Sequence, residues 1–510
     1  MTYTLSKSKL QSYHQCKKKL WLEISQPSLA KIDEAQQLIL DRGTAFGEAV
    51  RGCFEHGDLV KAKSAKEAIQ ETAVILQSFA SGAKRVPIFE AAFAYKGVIV
   101  RADILEPLQD GTWKLIEVKS GTIKPGQGVK AHYLRDAATQ ALIVERSGSG
   151  IHISSICLGV PDATFVYAGP MNLMGILIIR DITAEAKALF GDIEACILPA
   201  SHIAQQTEAP TISVGSHCKA PHACGFATYC SGTQLNSTET FIIPVWHLSK
   251  DPLTNIVQKL LPSHRDLAEV DNADLDKPIQ LKMKEVACGK AYYLDPKLNE
   301  FLSTQPFPRY FLDYETNNAP LPLWVGTHPG ESVPFQFSVH KWPALHAPLE
   351  HFEFIASTNA DPRPALAQAL IEALNTPGPV FAWNGNGTEG PITEKLCSYY
   401  PAGEAALRRI ASSCRINDPL VKFRKWFYVP QMGGDWGLKS VARSILPTNP
   451  YSSLAIKNGV DAMKGYEKYL EMPAGPDRAK LESDLLAYCG VDTSVMVDIW
   501  KAIQSMPVSP

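Results

Sequence analysis

Two carboxylates and a lysine stand within a short stretch, residues 99–121, IVRADILEPLQDGTWKLIEVKSG: Asp103, Glu117 and Lys119. Side chains alternate between faces along a strand, so Glu117 and Lys119 share one face, and Asp103 on a partner strand is able to meet them. Two carboxylates converging this way are costly to desolvate unless a cation neutralises them, and a divalent metal bridging Asp103 and Glu117 does so. The chemistry served is phosphodiester hydrolysis: the metal polarises a scissile phosphate and activates a water, while Lys119 orients that water and offsets transition-state charge. The alternative is a solvated hairpin carrying an ordinary Glu/Lys pair.

A second acidic pattern begins in YFLDYETNNAP, where Asp313 and Glu315 at i and i+2 project from one face at the end of an apolar strand. Glu389 follows the glycine-rich loop 384–387 in front of a helix, and Asp418 closes RINDP, read as a further strand end. Tyr488 and Asp492 lie four apart on one face of a C-terminal helix over 481–499. Acids gathered by strand ends and a helix suit a two-metal phosphodiesterase, one ion steadying the attacking oxygen and the other the leaving oxygen.

The cysteines offer a third constellation. HCKAPHACGFATYC spaces Cys218, Cys224 and Cys230 evenly, and Cys16 is the fourth thiol from the other end of the same domain. A metal joining them closes a very long loop and stabilises the native state entropically. Zinc with a His217 or His222 ligand and metal-free buried thiols are the alternatives.

The elements that must position these residues follow from periodicity. Residues 98–105 and 114–119 read as strands joined at the Asp110-Gly111 turn, and Glu90 opens a preceding strand as another acid near the site. Helical spacing covers 6–22, 41–54, 62–80, 129–145 and 183–198, with Glu48 on the second helix and Tyr133, Asp136 and Gln140 on one face of the fourth. Strands are expected at 151–159 and 175–179, a helix at 252–271, and apolar strands at 310–314 and 380–383. Lys17, Lys18 and Lys19 are candidate phosphate contacts, with a solvated helix face as the alternative. Trp426, Phe427 and Tyr428 beside Lys422, Arg424 and Lys425 form a candidate platform for stacking single-stranded bases. His14, His132, His328 and His340 read as structural or surface residues, and Trp324, Phe335 and Phe337 as core.

At 510 residues and 45% apolar content the chain divides into an N-terminal domain over 1–235, a connector over 236–300 and a second domain over 301–510. A formal charge of -2 argues against wholesale polyanion coating, so nucleic acid must be gripped in local basic clefts. No apolar run is long enough for a bilayer and the N-terminus lacks a secretory core, so the expectation is a cytoplasmic protein with no membrane partner. The eleven cysteines then read as buried thiols or ligands, not disulfides.

The order Glu90, Asp103, Glu117-x-Lys119 and a helix with Gln140 resembles the PD-(D/E)xK nucleases of the RecB type. The resemblance implies a restriction-endonuclease-like α/β fold, metal binding by Asp103 and Glu117, catalysis assisted by Lys119, and Gln140 beside the site. It places a metal-binding histidine in the early helix, where this chain has Gly47 followed by Glu48. The one-plus-three cysteines are similar to those of iron–sulfur relatives of that family, which implies a [4Fe-4S] cluster on Cys16, Cys218, Cys224 and Cys230, although the first late gap is wider here.

The second half resembles the DEDD exonucleases of the DnaQ type, with an RNase H-like fold. Asp313 and Glu315 match the first motif, Glu389 the second in place of aspartate, and Tyr488-x3-Asp492 the variant whose tyrosine orients the attacking water. Gly437-Leu438-Lys439-Ser440 resembles a recurrent element of the same group. More closely, region 310–500 is similar to an uncharacterised bacterial domain commonly fused behind an iron–sulfur RecB-like nuclease. Together these imply a two-headed nuclease using Mg2+ or Mn2+ on single-stranded or end-bearing DNA, in repair or in defence against foreign DNA. The rivals are one live site with the other domain as a nucleic-acid clamp, an RNA exonuclease, and a non-enzymatic structural subunit whose acids form salt bridges.

Overall fold

A computed structural model of the chain describes residues 5–31, 34–123, 126–169, 172–212, 214–218, 220–231, 243, 245–248, 255–260, 263–264 and 266–507. The protein is mixed α/β and divides into two units, Met1–Leu235 with Asn318–Glu331, and Asn236–Asn317 with Ser332–Pro510. The residues flanking the expected break after 235, and the start of the helix expected from 252, lie outside the described residues. Among the described residues no helix is long and apolar enough to cross a membrane.

The first unit is built on β1 (Leu5–Ser6), β2 (Asp58–Leu59), β3 (Ile88–Tyr95), β4 (Val98–Pro107), β5 (Trp113–Val118), β6 (Ile153–Pro161) and β7 (Leu177–Asp181). Strands β2 to β7 lie side by side in chain order, and β1 pairs in parallel with the start of β4, Leu5 opposite Val98 and Ser6 opposite Ile99. The end of β4, from Ile104 to Pro107, pairs instead with β5. The neighbour of β4 therefore changes at the level of Asp103, and the sheet forks there.

Helices α1 (Lys7–Gln15), α2 (Lys17–Ser25), α3 (Glu34–Arg51), α4 (Ala65–Ala80), α5 (Ala131–Arg146), α6 (Thr183–Ala188), α7 (Phe190–Gln205) and α8 (Ala227–Ser231) complete the unit. Helix α5 buries every residue from 136 to 144, its alanines at 137, 138 and 141 allowing close approach to the sheet. Each large aliphatic side chain buried in this core contributes roughly 1.5–3 kcal/mol. The single helix expected over 6–22 is broken: Ser6 caps α1, and Cys16 takes an extended conformation (φ −166°, ψ 121°) before α2 starts. The helix expected over 183–198 is likewise divided into α6 and α7.

The second unit contains α9 (Asn255–Leu260), α10 (Pro278–Ala287), β8 (Tyr293–Leu294), α11 (Pro296–Thr304), β9 (Arg309–Asn317), β10 (Val333–Trp342), β11 (Glu350–Ile355), α12 (Arg363–Ala373) and β12 (Val380–Phe381). It continues through α13 (Glu389–Leu396), α14 (Glu404–Ile416), α15 (Pro419–Trp426), β13 (Phe427–Tyr428), α16 (Leu438–Ile445), α17 (Gly459–Glu471) and α18 (Pro476–Ser505). Its main sheet runs β11-β10-β9-β12, the first three antiparallel and β12 parallel to β9. Helix α18 packs on β9 and β10.

The expected connector is part of this unit's core, since Val245, Leu267, Met283 and Leu294 share one buried cluster with Phe311, Phe381 and Trp500. Met283 lies on α10 and Leu294 on β8, while Val245 and Leu267 sit in single short turns, so no one period announces the set. RINDP is not a strand end either. Its first residues finish α14, and Asp418 caps α15 by accepting from the Leu420 amide at 2.9 Å, with Pro419 at the first helical position.

Candidate metal centres

The fork in the first sheet gathers five charged side chains. Lys7 follows directly on β1, Lys119 directly on β5, Asp103 and Glu117 come from β4 and β5, and Asp136 from α5. Glu117 is 1% exposed and its Oε1 accepts from Lys7 Nζ at 3.0 Å and Lys119 Nζ at 2.5 Å. Gln140 donates to Oε2 of the same carboxylate, and Lys119 also donates to Asp136. Lys7 reaches Asp136 at 3.5 Å, and Asp103 Oδ2 accepts from the Val118 amide at 2.7 Å.

Burial and the neighbouring Glu117 charge push the Asp103 carboxyl up to about 8. Burial alone would raise Glu117 too, but Lys119 and Lys7 outweigh it and hold that carboxyl below the usual range. For both lysines burial is outweighed in turn by Glu117 and Asp136, so the ammonium forms are favoured. Asp136 Oδ1 and Gln140 Oε1 are buried without a hydrogen-bond partner, which leaves acceptor capacity for a cation.

Asp103, Glu117, Lys119 and Gln140 thus come together. Glu90 is a correction. It sits between the pairs Phe89–Ile104 and Ala91–Ala102, hence opposite Asp103, yet its carboxylate turns to Arg51 Nη2 at 3.1 Å from the end of α3. Its backbone is left-handed (φ 58°), an uncommon state for a residue with a Cβ. Arg51 already satisfies it, so it is not delivered to the lysines. Glu48 is exposed on α3.

In the second unit Asp313 and Glu315 project from β9, Glu389 opens α13 and Asp492 lies on α18. Burial first, then the charges of Asp492, Glu315 and Glu389, hold the Asp313 carboxyl well above its ordinary range. Burial and Asp492 push Glu315 up to about 8, and burial with Asp418 does the same to Glu389. Glu389 is 4% exposed and its Oε2 has no partner. Among the described residues Lys439 is the cation whose charge opposes these acids, and its Nζ donates to the Tyr488 hydroxyl at 2.6 Å.

Asp492 is 5% exposed; the Tyr451 hydroxyl donates to its Oδ1 at 2.6 Å, and Tyr488 hydrogen-bonds it as well. Burial raises this carboxyl, with Lys439 and the two hydroxyls opposing. The loop before Glu389 is held close to α14: a Cβ on Gly385 would meet the Cys414 carbonyl oxygen at 2.1 Å, so only glycine fits. Asp418 accepts from the Asn384 and Asn386 amides and serves this loop, not the cluster.

The four thiols of Cys16, Cys218, Cys224 and Cys230 line one pocket with Leu22, Ile212, Val214, Phe226 and Lys18. The helix break at Cys16 makes this possible, and Gln15 ties the late loop down by donating to the His217 and His222 carbonyls, both at 2.7 Å. Burial pushes the Cys218 and Cys230 thiols up. His217 lines the pocket, whereas the His222 ring packs edge-on against His132 at 4.8 Å.

The basic residues have local partners. Lys17 lies over Tyr13, Lys18 and Lys19 line the thiol pocket, and Lys19 donates to Gln15 Oε1 at 2.7 Å. Lys422 lies 5.1 Å from the Phe301 ring and 5.8 Å from Trp426, while Arg424 and Lys425 are exposed. The stacking platform is corrected: Phe427 and Tyr428 are fully buried, paired through β13 to β8, and Trp426 packs against the same core. Rings that are already covered have no face for a base.

Lys7, Asp136, Tyr451, Lys439 and Cys489 are the cluster residues that motif spacing did not single out for roles. Asp136 and Gln140 share a helix face, a signal that was present. Lys7 and Tyr451 have none, because a two-residue strand and a loop bring them in.

Residues 310–437 match the family model described as a domain of unknown function, DUF2779. The matched region includes Asp313, Glu315 and Glu389 and ends before Lys439, Tyr488 and Asp492. Neither a curated protein nor a solved structure matches the chain.

Proposed function

We propose that the chain is a metal-dependent nuclease that hydrolyses phosphodiester bonds of DNA, at ends or in single strands, in repair or in defence against foreign DNA. In this reading residues 1–235 form a PD-(D/E)xK, RecB-like head and residues 301–510 an RNase H-like head of the DEDD type. The observation that carries it is the set of acids Asp313, Glu315, Glu389 and Asp492, three of them buried and all acting on one another's charge, with Lys439 the cation that opposes them among the described residues. Such a charge balance is unfavourable until cations are added. The sheet of three antiparallel strands with a fourth parallel to the first supports this reading of the second head.

Bound Mg2+ or Mn2+ supplies charge for the scissile phosphate and an activated water. Asp313, Glu315, Glu389 and Asp492 would hold these ions in one head, Asp103 and Glu117 in the other. Tyr488 orients the attacking water, its hydroxyl aimed by Lys439. Lys119 stabilises negative charge in the N-terminal head, and Gln140 fixes the Glu117 carboxylate that it must leave free to bind.

Cys16, Cys218, Cys224 and Cys230 hold a [4Fe-4S] cluster in this reading. The four cysteines line one pocket, which supports a single centre held by all of them. Iron and acid-labile sulfide in anaerobically purified protein, lost in Cys16→Ser, test it.

The activity is tested with labelled single-stranded and duplex DNA in Mg2+ or Mn2+, beside matched RNA oligonucleotides. Asp313→Asn and Lys119→Ala are each expected to remove one cleavage pattern. Undiminished cleavage by the double variant sinks the proposal, and strong RNA preference replaces DNA as the substrate. One observation favours a second reading, an N-terminal domain that only clamps nucleic acid: its acids are already paired with Lys7 and Lys119. Cleavage unchanged by Lys119→Ala and abolished by Asp313→Asn selects that reading.

A further inference from the structure

The acid cluster of the second unit contains a thiol. Among the described residues one group of three side chains can present ligand atoms within 4.8 Å of one another, and it is Asp313, Glu315 and Cys489. Cys489 lies on α18 one residue after Tyr488 and three before Asp492, so the helix aims its sulfur at β9. Its Sγ lies 3.8 Å from the Asp313 carbonyl oxygen and 3.9 Å from Asp313 Oδ2, and the residue is fully buried. A second buried acid acts on the same pair. Glu389 Oε2 is buried without a partner, and its charge acts on both Asp313 and Glu315.

A site of oxygens alone suits Mg2+, which demands near-ideal octahedral geometry and hard donors. One sulfur changes the selection. Thiolate donors favour later first-row cations, and affinity rises along that row from Mn2+ through Co2+ to a peak at Cu2+, with Zn2+ just after it. We propose that Cys489 is a ligand of the ion held by Asp313 and Glu315, so that this one of the cluster's two ion positions takes a thiophilic divalent cation, Co2+ or Zn2+ as probes, in preference to Mg2+, and the other position keeps Mg2+ or Mn2+. The step balances as an exchange: the S–H bond breaks, a metal–sulfur bond forms, and the proton passes to solvent. The inference rests on the reading of this cluster as a metal site and specifies its selectivity.

Co2+ titration of the full chain tests it, because a cobalt–thiolate bond carries a charge-transfer band that oxygen ligands do not produce. Wild type, Cys489→Ser and Asp313→Asn are compared by difference, so that any signal from Cys16, Cys218, Cys224 and Cys230 cancels. The expected result is loss of one band component in Cys489→Ser, Co2+ affinity at that position weakened at least about tenfold, and Mg2+ affinity unchanged. Cadmium NMR on the wild-type chain needs no variant, and one resonance typical of a single sulfur among oxygens is expected. If Asp313→Asn loses a bound ion while Cys489→Ser keeps band and affinity, the thiol is not a ligand and the proposal is overturned with the metal site intact. If neither variant loses an ion, the metal site itself is absent.

Discussion

The two acidic clusters solve the same electrostatic problem in opposite ways. At the fork of the first sheet three carboxyls face two ammonium groups, and Glu117 stays ionised because Lys7 and Lys119 lie against it. On β9, α13 and α18 four carboxyls face one lysine among the described residues, and Asp313, Glu315 and Glu389 all hold their protons more tightly than free acids do. The first cluster is self-neutralised and structurally secure without an ion. The second leaves its charge to be balanced by ions or protons, which makes it the stronger candidate for a cation site.

Five measurements break or sharpen this contrast. The largest effect is expected from Asp313→Asn, which lowers cleavage dependent on the second unit at least about 10^3-fold in Mn2+, read on end-labelled DNA. Lys119→Ala lowers cleavage dependent on the first unit by about 10^2-fold in the same assay, since it removes electrostatic stabilisation and no metal ligand.

Stability should respond with opposite signs. Glu117→Gln leaves Lys7 and Lys119 with Asp136 as their shared partner and costs about 3–5 kcal/mol by urea unfolding with chelator present. Glu389→Gln removes an acid that burial disfavours and adds about 1–3 kcal/mol at pH 8 under the same conditions. Two changes of the same sign would leave the contrast without support.

The pH dependence follows from the raised carboxyls. Glu315 and Glu389 move from 4.5 in the unfolded chain to about 8, and Asp103 from 3.8 to about 8, so in that window the folded chain binds protons that the unfolded chain has released. Their contribution is full below the unfolded values and is lost as pH rises towards 8. Glu117 acts oppositely, but its contribution disappears only as pH falls below its unfolded value of 4.5. Metal-free stability is therefore expected to fall by at least about 2 kcal/mol between pH 5 and pH 8, and Mn2+ to remove most of the fall.

Much of both clusters was legible before any fold was known. Asp103, Glu117 and Lys119 follow from strand alternation, Tyr488 and Asp492 from helical spacing, and Asp313 and Glu315 from an acid pair at the end of an apolar strand. Asp418 was misread although its signal was present, since Asp-Pro before an apolar run is a helix cap before it is a strand end. Phe427 and Tyr428 look like a binding surface beside three cations, yet β13 buries them against β8, a pairing that no local pattern announces. Glu90 has the right neighbours in register and the wrong partner, because Arg51 arrives from a helix far earlier in the chain.

The sequence by itself determined which residues carry charge or sulfur, which of them share a face, and that four thiols belong to one domain. Tertiary structure alone decided the charge balance of each cluster. Lys7 enters through a two-residue strand that docks on β4, Tyr451 through a loop, and Cys489 through the rotation of α18 against β9. Periodicity reports only neighbours within a few residues, whereas the cost of burying a carboxylate depends on every charge within a few ångströms, whatever its place in the chain.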